Sequence, residues 1–275
     1  MIKNFILEDR EFNKLRDIVY EEAGIKLGDV KKILMQSRLT KRLRELRLDS
    51  FLDYYNYLVE NYNEEKVNFI NLITTNKTDF FRENDHFEFI KERLLPEYEK
   101  RGMKEIRIWS AGCSTGEEPY TIAMVTTEYF KTKQSPEILI LATDIDTQVL
   151  QKAKNGIYPQ EHVSTVEPDY IKRYFSKGTG PDQGAYIVND TLKKSVYFRR
   201  LNLLQEQYPM KKQFDIIFCR NVIIYFDRDT QKRLFNKFYN YLKDDGYLLI
   251  GHSENITSIT DKFILAGRTI YKKVV

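Results

Sequence analysis

The sequence predicts an α/β protein in which a mainly parallel, doubly wound sheet has helices on both faces. Apolar residues recur at helical spacing through residues 1–95. After Gly102 the pattern becomes strand, helix, strand, as in doubly wound folds. Residues 156–195 interrupt this order with turn-forming residues and a short strand. We therefore predict an all-helical N-terminal domain at 1–95 and a sheet domain at 96–275, with an inserted β-subdomain at 156–195.

Composition limits the function classes that the chain can belong to. The 275 residues, 42% of them hydrophobic, are enough for one large or two modest cores. The 44 basic and 40 acidic residues nearly cancel, so the net charge of +4 does not indicate nucleic acid binding. Two cysteines, Cys113 and Cys219, and three histidines make neither a disulfide framework nor a metal-binding pattern. We expect a cytoplasmic protein without a metal, a signal peptide or a membrane-inserted segment.

A basic helix at residues 31–48 stands out in the N-terminal half. Met35, Leu39, Leu43 and Leu46 form one apolar stripe at helical spacing. Basic residues cover most of the remaining surface, and Glu45 is the one acidic residue between Lys31 and Leu48. An ordinary solvated face is the alternative interpretation. We favour a docking face for an acidic partner, formed by Lys31, Arg38, Lys41, Arg42 and Arg44.

Residues 74–84, with the sequence T-T-N-K-T-D-F-F-R-E-N, precede another amphipathic helix at 87–98. Polar Asn76, Thr78 and Arg82 alternate with two phenylalanines. This pattern is compatible with a binding segment. It is equally compatible with a helix cap at Thr78 or Asp79 followed by a hydrophobic anchor.

The segment 106–120, I-R-I-W-S-A-G-C-S-T-G-E-E-P-Y, predicts a strand, a glycine loop and a helix N-terminus. Gly112 and Gly116 allow the backbone to approach a ligand closely. No lysine follows Gly116, so the loop is not a nucleotide phosphate loop. Glu117 and Glu118 would repel a pyrophosphate and attract a cofactor that carries an ammonium or sulfonium group. A glycine loop with a charged, dipole-stabilised helix start is the alternative.

Asp144 follows a second buried strand, 138–143, where a doubly wound fold places the carboxylate that binds ribose hydroxyls. Asp144 could instead cap the next helix, although Asp146 is also available for that role. Asn202 follows a third strand and could read an adenine edge or stabilise a turn. These positions and 219–221 all follow predicted strands, so they converge at one edge of the sheet.

In combination, these segments resemble the chemotaxis receptor methyltransferases, or CheR-type protein-glutamate O-methyltransferases. The resemblance rests on T-T-N-K-T-D-F-F-R, S-A-G-C-S-T-G-E-E-P-Y, A-T-D-I-D, N-L-L, F-C-R-N-V-I-I-Y-F and G-H-S-E-N. It covers nearly the whole chain in order. It implies the S-adenosylmethionine-dependent methyltransferase fold, S-adenosyl-L-methionine as cofactor and S-adenosyl-L-homocysteine as product.

The resemblance also implies roles for particular residues. Asp144 would hold the ribose, and Asn202 with the Leu203 backbone would read the adenine. Arg82 and Tyr225 would form the active site. The full set of implied cofactor contacts is Asn76, Thr78, Arg82, Glu118, Asp144, Asn202, Leu203, Arg220 and Asn221. A receptor glutamate, with a usual pKa of about 4.3, is already ionised at neutral pH, so we expect no catalytic base.

Family partners follow from the same resemblance. The basic helix would face the receptor's cytoplasmic methylation helices. In some members the β-subdomain binds a peptide at the receptor's C-terminus, and residues 177–190 are the candidate segment for that role here.

Two alternatives remain open. One is a non-catalytic, cofactor-sensing adaptor. The other is an RNA or nitrogen methyltransferase, although R-N-V-I-I-Y stands where nitrogen-methylating enzymes often carry [ND]-P-P-[YF].

Overall fold

Four helices make up the N-terminal part of the computed structural model, which describes residues 5–275. They are α1 (Asp9–Ala23), α2 (Lys32–Leu46), α3 (Phe51–Glu60) and α4 (Tyr62–Ile73). Most of the predicted stripe of α2 is buried: Met35, Leu39 and Leu43 are at most 2% exposed in the helical core, and Leu46 is partly buried against it. A single 3-10 turn, Asp29–Lys31, leads into α2, so the helix is slightly shorter than predicted.

A second helical segment connects this bundle to the sheet. It consists of α5 (Asp85–Phe89), a π-helical stretch (Ile90–Leu94) and α6 (Leu95–Lys100). Its apolar residues, among them Phe87 and Leu94, pack in the same core as Ile108 of the sheet. The proposed domain limit at residue 95 therefore lies inside a helical segment that packs with the sheet domain.

The central sheet has seven strands in the order β6-β2-β1-β7-β8-β10-β9. Its strands are β1 (Glu105–Ala111), β2 (Glu137–Asp144), β6 (Val196–Arg200), β7 (Phe214–Cys219), β8 (Leu242–Ile250), β9 (Phe263–Gly267) and β10 (Ile270–Lys273). The first five in spatial order pair in parallel, while β10 pairs antiparallel with both β8 and β9. The chain moves outward from β1 through β2 to β6 and then returns to β7 beside β1, which creates a topological switch point.

Helices cover both faces of this sheet, which confirms the predicted fold class. They include α7 (Glu117–Phe130), α8 (Thr147–Asn155) and α11 (Arg228–Tyr241). Alternate residues of each strand face opposite cores: Ile108 packs with α7, and Trp109 packs with Phe238 of α11. The period-2 side-chain alternation of buried strands explains this division.

The predicted β-insert is present between β2 and β6. It contains β3 (Ile157–Pro159), α9 (Pro168–Tyr174), β4 (Phe175–Lys177), β5 (Ala185–Val188) and α10 (Asp190–Lys193). Its three strands form an antiparallel sheet in the order β3-β5-β4.

Turn-forming residues Asp244, Asp245 and Gly246 lie inside a strand, since β8 begins at Leu242, directly after α11. The ladder resumes with a bulge between Phe214 and Ile216 of β7, and this irregularity accommodates the turn-forming residues within the strand. Within residues 5–275, no helix has the length and apolar character needed to span a bilayer.

Candidate cofactor and active site

A central cleft lies at the carboxyl ends of β1, β2 and β7, and the N-terminal helices form its opposite wall. Ala23, Leu34 and Met35 are among the residues that the helical domain contributes. All of the predicted site residues line this one cleft: Asn76, Thr78, Arg82, Glu118, Asp144, Asn202, Leu203, Arg220, Asn221 and Tyr225. The structure therefore brings together residues that lie far apart in the sequence.

The glycine loop after β1 forms the floor of the cleft. Gly112 and Gly116 have φ angles of 87° and 99°, a region that favours glycine. A Cβ atom at Gly112 would collide with the side chain of Val222, and one at Gly116 would lie 2.8 Å from the Cβ of Ala153. The N–H of Gly112 donates to the Thr143 carbonyl at 2.8 Å. These contacts hold the loop against the end of β2.

Asp144 is held at the end of β2 by backbone hydrogen bonds. Its carboxylate accepts from the N–H of Ser114 at 2.8 Å and from the N–H of Asp146 at 3.0 Å. Burial raises the pKa of Asp144 to about 6. Asp146 caps α8 by accepting from the N–H of Gln148 at 2.8 Å. The capping role thus belongs to Asp146, and Asp144 faces the cleft.

The two glutamates that open α7 have different surroundings. Glu118 lines the cleft, accepts from the Ser110 hydroxyl at 2.7 Å, and lies 3.2 Å from the Nε of Arg220. Burial raises its pKa, and Arg220 opposes that shift. Glu117 is fully buried beneath the β-insert instead, where it accepts from the Thr115 hydroxyl at 2.6 Å. Only the second acid of the pair is therefore available to a ligand in the cleft.

Arg220 is the most enclosed cation of the cleft, and its side chain is 2% exposed. Besides Glu118, its guanidinium contacts Nδ1 of His86 at 3.2 Å and donates to the carbonyl of Arg82. It also lies 5.3 Å from the Phe87 ring. Because Arg220 is committed to these partners, it acts as a hub that joins α5, α7 and the end of β7.

His86 has no lone pair left for a metal. Glu83, His86 and His252 have potential ligand atoms within 4.8 Å of one another, the one such group found among residues 5–275. The Nδ1 of His86 accepts from Arg220, and its Nε2 donates to the carbonyl of Arg268 at 3.1 Å. Burial, together with Arg220, lowers the pKa of His86 to about 4, so the ring is neutral at pH 7.

Arg82 lies between two residues with left-handed backbone, since Phe81 has φ 55° and Glu83 has φ 54°. Such conformations cost about 1 kcal/mol or more for residues other than glycine. The Glu83 carboxylate accepts from Nδ2 of Asn221 at 3.3 Å and from the N–H of His252 at 3.2 Å. These bonds compensate for the strain and fix the backbone that presents Arg82 to the cleft.

Glu254 is a residue whose role the sequence analysis did not identify, although it lies in the quoted G-H-S-E-N segment. Its buried carboxylate accepts from the N–H groups of Ile223 at 2.8 Å, Ile224 at 3.2 Å and Asn221 at 3.1 Å. It also accepts from the N–H of Gly251 at 2.6 Å. Glu254 thus holds the loop that carries Arg220, Asn221 and Tyr225.

The helical domain contacts the sheet domain at Asn202 and at Tyr225, two residues that line the cleft. The Asn202 side chain donates to the Glu22 carbonyl at 2.7 Å and accepts from the N–H of Leu204 at 2.9 Å. The N–H of Lys26 donates to the Tyr225 carbonyl at 2.8 Å. The cleft is therefore closed on one side by backbone of the helical domain.

Comparison with known proteins decides the family. Residues 76–272 match the family model for the SAM-binding domain of CheR methyltransferases, and residues 10–74 match the model for their all-alpha domain. The chain belongs to the CheR methyltransferase family. It is 43% identical over 272 residues to the chemotaxis protein methyltransferase of Escherichia coli K12, covering 98% of this chain and 93% of that protein. It is 45% identical over 259 residues to that of Borreliella burgdorferi, covering 92% and 90%.

This CheR family member is an S-adenosylmethionine-dependent chemotaxis methyltransferase. The cleft suits that cofactor, because burial raises the pKa values of two of its carboxylates, the partly buried Glu118 and the buried Asp144. A ligand that brings a sulfonium and an ammonium group supplies the positive charge that favours their ionised forms. The close approach of backbone at Gly112 fits the same elongated ligand.

The structure corrects the expectation for two residues of the basic helix. The Arg38 guanidinium points inward and donates to the carbonyls of Ile73 at 2.6 Å and Thr74 at 2.8 Å. Arg42 pairs with the buried Glu65 at 2.6 Å. Their charges are thus used within the protein, because the carbonyls at the end of α4 and the buried carboxylate both need partners. The other three predicted docking residues, Lys31, Lys41 and Arg44, are exposed.

Proposed function

We propose that this chain transfers the methyl group of S-adenosylmethionine to glutamate side chains of chemoreceptor cytoplasmic helices, giving glutamate methyl esters. The observation that carries this proposal is the position of α2. Leu34 and Met35 line the central cleft, whereas Lys41 and Arg44 of the same helix are exposed. A helical partner docked on α2 would therefore lie beside the opening of the cofactor site, with basic side chains facing it.

The proposed cofactor contacts follow the cleft from end to end. Asp144 would hold the ribose, and Asn202 and Leu203 would bound the adenine. The Leu203 carbonyl already accepts from the Tyr208 hydroxyl at 2.6 Å, which leaves the Leu203 N–H as the backbone donor for the base. Asn202 retains one N–H and one lone pair beyond its two backbone bonds.

The remaining cofactor contacts lie toward the methionyl end. Asn76, Thr78, Glu118, Arg220 and Asn221 line that part of the proposed site. Glu118 would attract the ammonium group, because its carboxylate lines the cleft and its side chain is only 12% exposed, so solvent screens its charge less.

Arg82 and Tyr225 are the proposed active-site residues. Arg82 lines the cleft, and its Nη1 donates to the Lys77 carbonyl at 2.8 Å, so its other N–H groups can orient a carboxylate. Bound S-adenosylmethionine would supply an electrophilic methyl group, and transfer to a carboxylate oxygen would leave the electron pair of the broken carbon–sulfur bond on sulfur. No proton is transferred, so the residues act by alignment and exclusion of water.

A receptor peptide at the β-insert is a further part of this proposal. The candidate segment 177–190 contains β5, which is already paired on both edges by β3 and β4. A peptide strand would therefore pair with the outer edge of β3 or β4, by strand addition. Peptide binding at this edge would be separate from the methyl-transfer chemistry. The proposed function also includes a cytoplasmic location for the enzyme.

The test is incubation with methyl-labelled S-adenosylmethionine and receptor cytoplasmic fragments, followed by mild base. Label released as volatile methanol is expected, because carboxyl methyl esters hydrolyse under these conditions. Fragments with the acceptor glutamates changed to alanine are the control and should take up no label. Label that survives base would indicate nitrogen methylation, and tight cofactor binding without label would indicate an adaptor; either result contradicts the proposal.

A further inference from the structure

The segment that follows β6 carries the two proposed adenine contacts but forms neither helix nor strand. We call this segment, residues 201–206, the β6 loop. It begins at Leu201, whose N–H donates to the Asp144 carbonyl at 2.9 Å. Asn202 and Leu203 then line the cleft. Because the chain leaves the sheet after Leu201, contacts outside the sheet must hold the β6 loop in place.

A tight turn fixes the direction of the Leu203 N–H. The Asn202 carbonyl accepts from the N–H of Gln205 at 3.2 Å, and Oδ1 of Asn202 accepts from the N–H of Leu204 at 2.9 Å. The Asn202 carbonyl and the Leu203 N–H belong to the same planar trans peptide unit, so they point in opposite directions. Among residues 5–275, the Leu203 N–H has no hydrogen-bond acceptor. The turn thus leaves this N–H available to a ligand.

Lys237 of α11 holds the other side of the β6 loop. Its ammonium group donates to the carbonyls of Leu203 at 3.3 Å, Leu204 at 3.2 Å and Gln205 at 2.5 Å. A lysine ammonium has three N–H donors, so these three bonds use all of them. The same ammonium lies 5.1 Å from the centre of the Tyr208 ring, and the Tyr208 hydroxyl also donates to the Leu203 carbonyl. One lysine therefore binds three consecutive residues of the loop.

The convergence of three carbonyls on one point requires a cation. Each carbonyl oxygen carries partial negative charge, so neighbouring oxygens repel one another unless positive charge lies between them. Lys237 is partly buried, and burial lowers its pKa, as expected for an ammonium partly withdrawn from water. Hydrogen bonds in such surroundings are screened less than at the surface. Loss of the ammonium would remove a partner from all three carbonyls and favour rearrangement of the loop.

We propose that Lys237 is a positioning residue for the cofactor, which holds the β6 loop in the conformation that presents Asn202 and the Leu203 N–H to the adenine ring. The inference rests on the proposed function, since the adenine contacts are part of that proposal. Lys237 is not among the residues that line the cleft, so it would act through the loop backbone. Its loss should weaken cofactor binding without altering the chemical step or receptor docking.

A fixed N–H donor should also determine which nucleobase binds. Adenine offers ring nitrogens that accept hydrogen bonds, whereas hypoxanthine carries a proton at N1 and an oxygen in place of the amino group. A site selects strongly between such bases when its polar groups are held in place, because the wrong base leaves them unpaired. A loosened β6 loop should therefore bind adenosyl and inosyl ligands with more similar affinities. A general loss of stability would not change that ratio.

The test compares two variants of Lys237 with a control lysine. Lys237→Met keeps an unbranched side chain of similar length but removes the charge and the donors, while Lys237→Arg retains both. The control is Lys273→Met on β10, outside the cleft lining. The Lys273 side chain is 6% exposed and also donates to a backbone carbonyl, that of Leu242 at 2.9 Å. Calorimetry gives the Kd of S-adenosylhomocysteine and of S-inosylhomocysteine, and hydrogen exchange is measured on the ligand-free proteins.

Lys237→Met is expected to raise the Kd of S-adenosylhomocysteine at least about tenfold, and the KM for S-adenosylmethionine in parallel. Its kcat and its KM for receptor fragments should change less than about threefold, because the reacting groups are untouched. The ratio of the inosyl to the adenosyl Kd should fall at least about threefold. Amide exchange at residues 202–206 should become faster. Lys237→Arg should return the Kd to within about threefold of the unaltered protein.

Two results would overturn this inference. If Lys237→Met bound S-adenosylhomocysteine as tightly as the unaltered protein, the β6 loop would not need the lysine. If Lys273→Met lost as much affinity, and both variants kept the preference for the adenosyl ligand, the effect would be one of general stability. These measurements need no receptor. They are therefore distinguishable from failure of the proposed function, in which the unaltered protein would give no base-labile methyl ester on receptor fragments.

Discussion

Glu254 accepts a hydrogen bond of 2.8 Å from the backbone N–H of Ile223, and the two residues belong to different loops at the carboxyl edge of the sheet. Through this hydrogen bond and the neighbouring ones to the same carboxylate, Glu254 accepts from backbone N–H groups of the loop after β7. These bonds take the place of the backbone pairing that a helix or strand would provide. The loop carries Arg220, Asn221 and Tyr225 into the cleft. The geometry of the proposed active site thus depends on a residue that does not line the cleft.

The variant Glu254→Gln tests this dependence. A glutamine offers one acceptor oxygen and places an NH2 group against backbone N–H donors, so several charge-assisted bonds are lost, each worth about 1.5–3 kcal/mol. We expect faster amide hydrogen exchange at residues 220–226 and about tenfold weaker binding of S-adenosylhomocysteine.

Asp215→Asn is the matched control, because Asp215 is also buried and accepts a backbone N–H, from Arg107 at 2.8 Å, but lies away from the cleft. It should lower the free energy of unfolding without changing cofactor affinity. Equal losses of affinity in both variants would indicate a general effect on stability and would refute a positioning role for Glu254.

Cofactor affinity should depend on pH through Asp144. In the ligand-free protein burial holds its pKa at about 6, and a cationic ligand favours the ionised carboxylate. Binding below pH 6 must therefore displace a proton, so affinity should rise between pH 5 and 7 and then level off. Glu118, whose pKa is also raised, contributes to the same trend.

Calorimetry with S-adenosylmethionine in buffers of different ionisation enthalpy would measure both the affinity and the released protons. Asp144→Asn should bind at least about tenfold more weakly at pH 7 and release fewer protons at pH 5.5. Unchanged proton release in this variant would assign the titration to Glu118 or another group.

Variants of two α2 residues should have different effects, one on cofactor affinity and the other on receptor docking. Arg38→Gln removes the donor to the carbonyls of Ile73 and Thr74, just before the segment that carries Asn76 and Thr78. We expect its S-adenosylhomocysteine Kd to rise about tenfold, equivalent to about 1.4 kcal/mol.

Lys41→Gln is the counterpart on the outer face, where the lysine side chain is 82% exposed. It should leave cofactor Kd unaltered and raise the KM for receptor fragments. If Arg38→Gln changed only the receptor KM, its hydrogen bonds to α4 would not be needed to build the site.

Substitution of Arg82 should reduce methyl transfer more than substitution of Tyr225. Arg82→Ala removes the proposed carboxylate-orienting group, and a charged contact of about 1.5–3 kcal/mol corresponds to a loss of roughly 10- to 150-fold in kcat/KM. Tyr225→Phe keeps the ring and the backbone bond to Lys26, so we expect a loss below about tenfold. Methyl transfer to receptor fragments measures both, and near-normal turnover in Arg82→Ala would disprove the assigned role.

Local sequence patterns were sufficient for much of the fold. The strand, glycine loop and helix around Gly112 and Gly116 are encoded within a few residues, since φ angles of 87° and 99° favour glycine there. Asp144 at the end of β2 followed from the strand pattern, and the cap at Asp146 follows from adjacent residues. The resemblance to a family then extended these local observations to residues whose roles no periodicity reveals.

The sequence by itself thus determined the fold class, the family and the residues around the cleft, because these depend on short-range patterns and on matching segments. Only the tertiary structure decided how individual charges are used. Arg38 and Arg42 turn inward because carbonyls of α4 and the buried Glu65 need partners there. Glu254 reaches a loop 31 positions away, and a long-range contact of this kind has no local signal. Helical periodicity predicts the face of the helix from which a side chain projects. Nearby unsatisfied polar groups determine which partner the charged end of that side chain contacts.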